Sequence, residues 1–498
     1  MDHQLPRLPP VALATSSRTP SSGSQETLDE KTSGLQSVGT AGSTSSFTTV
    51  SAAPPEKGMG WEGYEDDELP EKVHGHYLRN LRHQAFSLYR RIFGVVFITN
   101  MAIFIVVCIR ETSVPKIAEI AVANLFASIV MRQEYVVNTF FNVFCSVPRS
   151  WPLAIRRIAA RVYHIGGLHS GFAVSGTVWL ILFTGKATKD VVEGGRTSIA
   201  TLVLSWVIMV FLFGMVVFAY PSFRAKKHNS FERIHRFAGW SAAAMVWAQV
   251  ILLVNDYKDP EESLGNALKS TPSFWLVVVF TASLILPWVE LRKHDVRAEV
   301  LSNHAVRLFF DYGVHPEPGS FVRLSEDPLF EWHGFATIAE PGKTGYSVII
   351  SRAGDWTSKQ IENPPTKMWI RGIPTFGVVH VVPMFRRVVL VATGSGIAPL
   401  VPVILRQEVP IRLLWTSPNV RETFGDALVD NILEKAPGTV LYDTRKHGKP
   451  DMVKLTYRMV REFDAEAVCI ISNAKLTYKV VYGLMSRGIP AIGAIWDS

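Results

Sequence analysis

Cysteine is scarce in this 498-residue chain: the three residues Cys108, Cys145 and Cys469 all sit in apolar stretches. That excludes a disulfide framework, and no CxxC or Cys/His spacing suits zinc. Charge is scarce as well, with Asp, Glu, Lys and Arg making 19% of the residues, against about 25% in an ordinary soluble domain. Hydrophobic residues make 48% and mean hydropathy is positive, which excludes full disorder and argues against a wholly soluble protein. The opening residues are polar and rich in Pro, Ser and Thr, so no secretory signal peptide is expected there. No internal repeat is evident. What the chain does have is an excess of cations, 51 against 43 anions for a net charge of +8. They gather beside apolar segments, at Arg149–Arg161 and Arg224–Arg236, which fits a topology signal and not a nucleic-acid-binding face.

Residues 1–57 form a Ser/Thr/Pro/Gly-rich segment that cannot bury enough apolar area to offset its ordering entropy, so it is expected to be a disordered tail. A juxtamembrane segment at 58–91 runs from acidic to basic. Apolar runs follow at 92–109, 117–131 (extendable to 147), 162–184, 199–220, 237–254 and 273–290, each near the ~20 residues that cross a bilayer as a helix. The strongly basic connections alternate with mixed or acidic ones. The positive-inside rule then gives a six-helix membrane domain over 92–290 with both termini cytosolic, and the lipid bilayer as partner.

Beyond Arg297 the period changes. Short alternating runs at 306–310, 320–324, 335–338, 346–350 and 367–370 predict an antiparallel β-barrel over 295–385. From Val388, apolar strands at 388–392, 411–415, 439–442, 467–471 and 491–496 alternate with helical stretches. That predicts a parallel sheet covered by helices over 386–498. Its first strand ends in Thr393-Gly394-Ser395-Gly396-Ile397-Ala398-Pro399. A buried strand entering a Gly-rich turn and then a helix lets backbone N–H groups approach a pyrophosphate, and Pro399 suits the first helical turn.

That turn resembles the NAD(P)-binding turn of the ferredoxin–NADP reductase superfamily, to which ferric reductases and NADPH oxidases belong. Further matches come in order. Glu331-Trp332-His333-Gly334-Phe335-Ala336-Thr337 is similar to the flavin-binding His-Pro-Phe-Thr segment, with Gly334 in place of Pro and Ala336 inserted. Gly354-Asp355-Trp356-Thr357 resembles the FAD pyrophosphate turn, Arg371-Gly372-Ile373-Pro374-Thr375-Phe376-Gly377 the Gly-Pro-Tyr-Gly that closes the flavin barrel, and Gly448-Lys449-Pro450-Asp451 the Gly-Arg-Pro turn. Within the superfamily the chain is similar to the fungal TmpA-type membrane flavoproteins. The usual Cys-Gly-Pro near the nicotinamide appears as Cys469-Ile470-Ile471-Ser472-Asn473, which leaves no thiol at the strand tip.

The resemblance implies FAD held by His333, Phe335, Thr337, Gly354, Thr357, Gly372 and Gly377, and a nicotinamide dinucleotide held by Thr393 to Pro399. It also implies that Trp496, near the C-terminus, covers the flavin and moves aside during catalysis. Each has a plainer reading: an exposed barrel histidine, an N-cap threonine, a core tryptophan. Arg421 lies just past the second strand of the parallel sheet and Arg445 and Lys449 past the third, where they would favour NADP(H) through its 2′-phosphate; a solvated basic face is the alternative.

Ferric-reductase-type proteins hold two haems between histidine pairs on the third and fifth spans. Here His164 and His235 stand at matching depth and admit a single haem iron. Their partners for a second haem, at Thr177 or Val178 and Ala248 or Gln249, do not ligate iron. His169 lies about 140° from His164 at 100° per residue, off that ligand face. Gly167 and Gly171 admit a neighbouring helix or a porphyrin. Arg132 and Glu134 interrupt the second run, either paired at membrane depth or interfacial.

The expected function is therefore an integral membrane flavoprotein oxidoreductase passing hydride from NAD(P)H to FAD and on to an unknown electron acceptor. By resemblance it would serve developmental signalling or secondary metabolism. The rival is a non-catalytic nucleotide-binding scaffold or redox sensor.

Overall fold

The computed structural model describes residues 60–311 and 313–494. The expected disordered tail and Trp496 lie outside the described residues. The longer helices described in the first half, with one short one, are α1 (Leu88–Ile109), α2 (Val114–Val130), α3 (Glu134–Cys145), α4 (Leu153–Ala159), α5 (Gly166–Val192), α6 (Ile199–Phe218), α7 (His228–Tyr257) and α8 (Pro272–Val289). Five are long and apolar enough to cross a membrane, namely α1, α5, α6, α7 and α8. A sixth is counted if α2 and α3, bent by 71°, are taken as one. The bend falls where Arg132 and Gln133 break the apolar pattern. Gln133 caps α3, its side-chain oxygen accepting from the amides of Tyr135 and Val136 at 2.6 and 3.3 Å, which starts a new helix on a new axis.

Apolar side chains fill the bundle interior, among them Ile117, Trp179, Phe183, Ile208, Val277 and Phe280. Trp179 satisfies its indole N–H on Asn100 Oδ1 at 2.9 Å. Large hydrophobics also point outward, including Ile98, Ile109, Val203, Val210 and Phe213. Gly167 and Gly171 serve helix contact: an added Cβ would stand 2.6 Å from Tyr89 O and 2.9 Å from Val96 Cβ, both of α1. Small residues on α5 thus let α1 approach closely.

The second half holds three sheets. Antiparallel strands β1 (Arg292–Asp295), β4 (Ser320–Ser325), β5 (His333–Ala336) and β7 (Lys367–Phe376) form one in the order β1-β7-β4-β5. β2 (Arg297–Val300), β3 (Ala305–Phe310) and β6 (Tyr346–Ser351) form another in the order β2-β3-β6. Their shared core is Val306, Leu308, Phe310, Leu324, Val348, Ile350 and Met368, with helix α9 (Asp355–Glu362) following β6. β1 and β2 escape the sequence pattern because Arg292–Val300 alternates too little in polarity to read as a half-buried strand. They pair as edges with β7 and β3.

The third sheet is parallel throughout, in the order β10-β9-β8-β11-β12, from β8 (Val388–Thr393), β9 (Ile411–Ser417), β10 (Val440–Asp443), β11 (Ala467–Ile471) and β12 (Ala491–Gly493). Helices α10 (Val401–Arg406), α11 (Asp426–Lys435), α12 (Met452–Phe463) and α13 (Ala474–Met485) connect the strands. Val388 to Ala392 are fully buried, as strands covered on both faces require. The chain passes from β8 outward to β9 and β10, then returns to β11 on the other side. The C-terminal ends of β8 and β11 therefore flank a topological switch point, where ligands of open α/β sheets bind.

Candidate functional site

At that switch point β8 ends in Thr393 and the chain turns through Gly394–Ile397 as one 3₁₀ turn. Gly394 has φ +51°, and a Cβ there would meet no atom within 4 Å. The left-handed backbone favours glycine, and the space above it is open. Its carbonyl is fixed by the Trp415 indole at 3.0 Å. Gly396 has a different role: a Cβ would lie 2.1 Å from Ile471 O, so only glycine lets the turn sit against the tip of β11. Ser395 is exposed between them, while Ile397 and Ala398 are buried. Pro399 was expected in the first turn of the helix, but α10 starts at Val401 and takes Pro402 there; Pro399 belongs to the turn that precedes it.

The inner end of the crevice carries a hydroxyl pair, Thr393 Oγ1 and Ser472 Oγ at 2.5 Å. Cys469 lies inside β11, fully buried, and burial pushes its thiol up to about 12. It is inert at neutral pH. Across the sheet, Arg421 is exposed. Its guanidinium donates to Asp426 at 2.8 Å and to Asp430 at 2.7 Å, both as exposed ion pairs. Arg445 and Lys449 are exposed beyond β10.

The barrel residues expected to hold FAD are arranged otherwise. Thr337 is buried at 1% exposure and bonded to Ser320, through the hydroxyl at 2.8 Å and the carbonyl at 3.1 Å. The Thr357 hydroxyl accepts from the amides of Ala353 and Gly354 at 2.9 and 3.0 Å, closing its own helix N-terminus. His333 stacks on Trp356 with centroids 4.0 Å apart, and Phe335 stacks on the same ring at 5.8 Å. Gly354 has extended backbone and open surroundings, and the Gly377 amide bonds to Gly319 O at 2.8 Å. Thr337 and Thr357 thus spend their hydroxyls on the fold, while His333 and Phe335 gather on the Trp356 ring at the start of α9.

Gly372 introduces residues that sequence reasoning did not connect. It has φ +69°, and a Cβ would stand 1.8 Å from Glu134 Oε2. Glu134, 4% exposed, pairs with Arg323 and accepts from the Ile373 amide at 3.1 Å. One turn on, Asn138 donates to Pro374 O and accepts from the Phe376 amide, both at 2.9 Å. Helix α3 thus docks on β7 through a carboxylate and a carboxamide. Beside it Arg371 lies between the rings of Trp288 and Trp332, 5.2 and 4.6 Å from their centroids. Burial, with Arg323 near, pushes its guanidinium down to about 10. The only forewarning was two ionisable residues breaking an apolar run.

In the bundle, His164 lies before the long helix α5. It sits in a separate 3₁₀ turn, Val162–His164, so helical angles counted from it do not apply. Its ring lies tilted against Tyr163, centroids 4.3 Å apart. His169 is the histidine beside His235, with ring centroids 6.3 Å apart, and its Nδ1 lies 2.9 Å from Ser128 O. The ring beside His235 is thus that of His169, where His164 was expected as its partner. Among the described residues no group of three His, Cys, Asp or Glu could hold a metal ion.

A family model described as the C-terminal domain of adenylate-forming reductase 03009 matches residues 378–498. The chain is 62% identical over 439 residues to adenylate-forming reductase 03009 of Coprinopsis cinerea, covering 88% of this chain and 43% of that one. It is 56% identical over 497 residues to adenylate-forming reductase 06235 of the same organism, covering 98% and 48%. The chain spans about half the length of these curated relatives. Among solved structures it is similar to a ferredoxin NADP+ reductase from Neisseria gonorrhoeae with bound FAD and NADP, at 13% identity and TM-score 0.34 over 41% of this chain and 97% of that one. It is also similar to CYP116B46 from Tepidiphilus thermophilus, at 15% identity and TM-score 0.35 over 41% and 28%. Superpositions at that level carry no functional inference.

The relatives' names correct the expected function. Both are adenylate-forming reductases, a different activity from a TmpA-type membrane flavoprotein passing hydride from NAD(P)H to FAD in fungal development. The names give the scaffold or sensor reading no better support. Oxidoreductase chemistry agrees with them; a ferric-reductase-like flavin enzyme does not.

Proposed function

We propose that this chain supplies the reductive part of an adenylate-forming reductase, binding a nicotinamide dinucleotide at the Gly394–Ile397 turn and acting on a group activated through an adenylate. The observation that carries the reading is the turn itself: an open, left-handed Gly394 and a close-packed Gly396 at the switch point of a parallel sheet. The match of a reductase C-terminal domain to 378–498 supports it, because that span contains the whole parallel sheet. The nicotinamide, when bound, supplies hydride. The chain's residues do the positioning. Gly394 and Ser395 offer backbone to the pyrophosphate, and Gly396 keeps that backbone within reach of β11. The Thr393–Ser472 hydroxyl pair lines the inner end of the crevice, and Arg445 and Lys449 give the adenosine end a positive field. The apolar bundle is proposed to lie in a lipid bilayer, with its basic connections and both termini on the cytosolic side.

Calorimetric titration of the full chain with NADP+ and NAD+ tests the reading. Ser395 is exposed, so Ser395→Glu adds a carboxylate at the pyrophosphate position without disturbing the core. Affinity should fall at least about tenfold, the equivalent of 1.4 kcal/mol. Wild-type protein that binds neither dinucleotide overturns the reading.

A further inference from the structure

A cavity of about 660 Å³ lies at the cytosolic-side start of α1, lined by Tyr77, Leu81, His83, Ser87, Arg90 and Tyr478 among others. It is walled on one side by the helical segment Leu81–Ala85 and on the other by α13 of the parallel-sheet domain. Its chemistry is one-sided. Burial, and after it the like charges of Arg82, Arg161 and Arg91, holds the His83 ring below the ordinary histidine range. Arg157 joins Arg82 and Arg91 in acting on Arg161. Among the described residues no carboxylate pairs with Arg82, Arg90, Arg91, Arg157 or Arg161. Some of their N–H groups clasp backbone: Arg90 donates to Gln84 O at 3.2 Å, and Arg91 to Phe86 O at 2.8 Å and Arg82 O at 3.2 Å. These bonds fix positions without neutralising charge.

One polar atom is left over in the lining. The Ser87 hydroxyl is buried and finds no partner among the described residues. Ser87 is the N-cap of α1 but makes no capping bond, and the first turn of that 22-residue helix carries no acid. Buried polar atoms are normally satisfied, and a cluster of five arginines with no counter-charge raises its own free energy. An anion rich in acceptor oxygens relieves both. The tyrosines and Leu81 add an apolar flank for whatever carries the anion.

We infer that this cavity binds a phosphate group on Arg90 and Ser87, with Arg82 and Arg91 supplying the surrounding field. The carrier is either an anionic phospholipid headgroup or a soluble phosphorylated molecule; both present tetrahedral oxygens to the same donors. The site is separate from the Gly394 turn and does not depend on dinucleotide binding there.

The probes are short-chain phosphatidic acid, short-chain phosphatidylcholine and inorganic pyrophosphate, titrated onto the full chain in a neutral detergent. Phosphatidic acid should bind, should weaken as salt is raised, and should lose at least tenfold in affinity in Arg90→Gln and in Ser87→Ala. Arg90→Lys should keep most of it, which separates charge from collapse of the fold. NADP+ binding should be unchanged in all three variants, since none touches the Gly394 turn. Phosphatidic acid bound well above pyrophosphate identifies a lipid headgroup; equal binding of the two, both lost in Arg90→Gln, identifies a soluble phosphate. No binding of either, or binding that Arg90→Gln leaves intact, overturns the inference.

Discussion

Replacing Glu134 with alanine should detach α3 from the barrel, and the size of the effect follows from what the carboxylate holds. One oxygen pairs with Arg323 and the other accepts from the Ile373 amide at 3.1 Å. With the carboxylate gone, Arg323 and Arg371 remain side by side; Arg323 already acts on Arg371 as a like charge. Breaking one partner of a buried pair costs about 3–5 kcal/mol. The Arg323 side chain is 26% exposed and partly screened, so the lower end, about 3 kcal/mol, applies. At 1.4 kcal/mol per factor of ten, local opening becomes roughly 150-fold more frequent. Trypsin reads this directly, because its cleavage site after Arg371 adjoins Gly372. When reclosing is fast, cleavage tracks the population of the open form. Native-state proteolysis followed by mass spectrometry should show cleavage after Arg371 accelerated by about two orders of magnitude. Asn138→Ala, which loses two hydrogen bonds to the same strand, should give a smaller acceleration, worth about 2 kcal/mol at most. Cleavage in Glu134→Ala within twofold of wild type would refute the docking argument.

Gly372→Ala should destabilise the same joint at least as strongly as Glu134→Ala, since its φ is +69° and the added Cβ collides with Glu134. Gly354→Ala, with extended backbone and open space, should cost less than about 1 kcal/mol in thermal unfolding. Arg421→Ala should leave the ratio of NADP+ to NAD+ affinity unchanged by calorimetry, because Asp426 and Asp430 already hold the guanidinium; a narrowed ratio would return Arg421 to the cofactor. Glu466 is held below its ordinary value of 4.5 by its bonds to Arg156, which is 1% exposed. Its stabilisation is therefore complete above about pH 4.5 and is lost as pH falls through the lowered value. Glu466→Gln should cost about 3–5 kcal/mol at neutral pH and flatten the acid limb of a stability-against-pH curve; an unchanged curve would contradict the pairing.

The parallel sheet was legible almost residue by residue, because strands buried on both faces read as unbroken apolar runs. The expected Val388–Ala392, Ile411–Trp415 and Ala467–Ile471 all fall within observed strands. The apolar helices were legible for the same reason. Edge strands β1 and β2 were not, since strands of mixed polarity leave no period. The two turn glycines could be marked from sequence, but not their separate duties, because the atom that forbids a Cβ at Gly396 belongs to Ile471, 75 positions away. Glu134 shows the same limit: Arg323 and Gly372 explain it, and only the fold brings them together. Thr337 and Thr357 were read as ligands of a cofactor from a motif. In the structure each spends its hydroxyl on local backbone or on Ser320. The angle of about 140° between His164 and His169 does not apply, for His164 precedes the helix on which it was counted.

The most direct measurement is amide hydrogen exchange of the full chain with and without saturating NADP+. Exchange should slow in two segments distant in sequence, 393–397 and 471–473, with no change at 333–337. Protection confined to other segments, or no protection anywhere, would contradict a nicotinamide dinucleotide at the Gly394 turn.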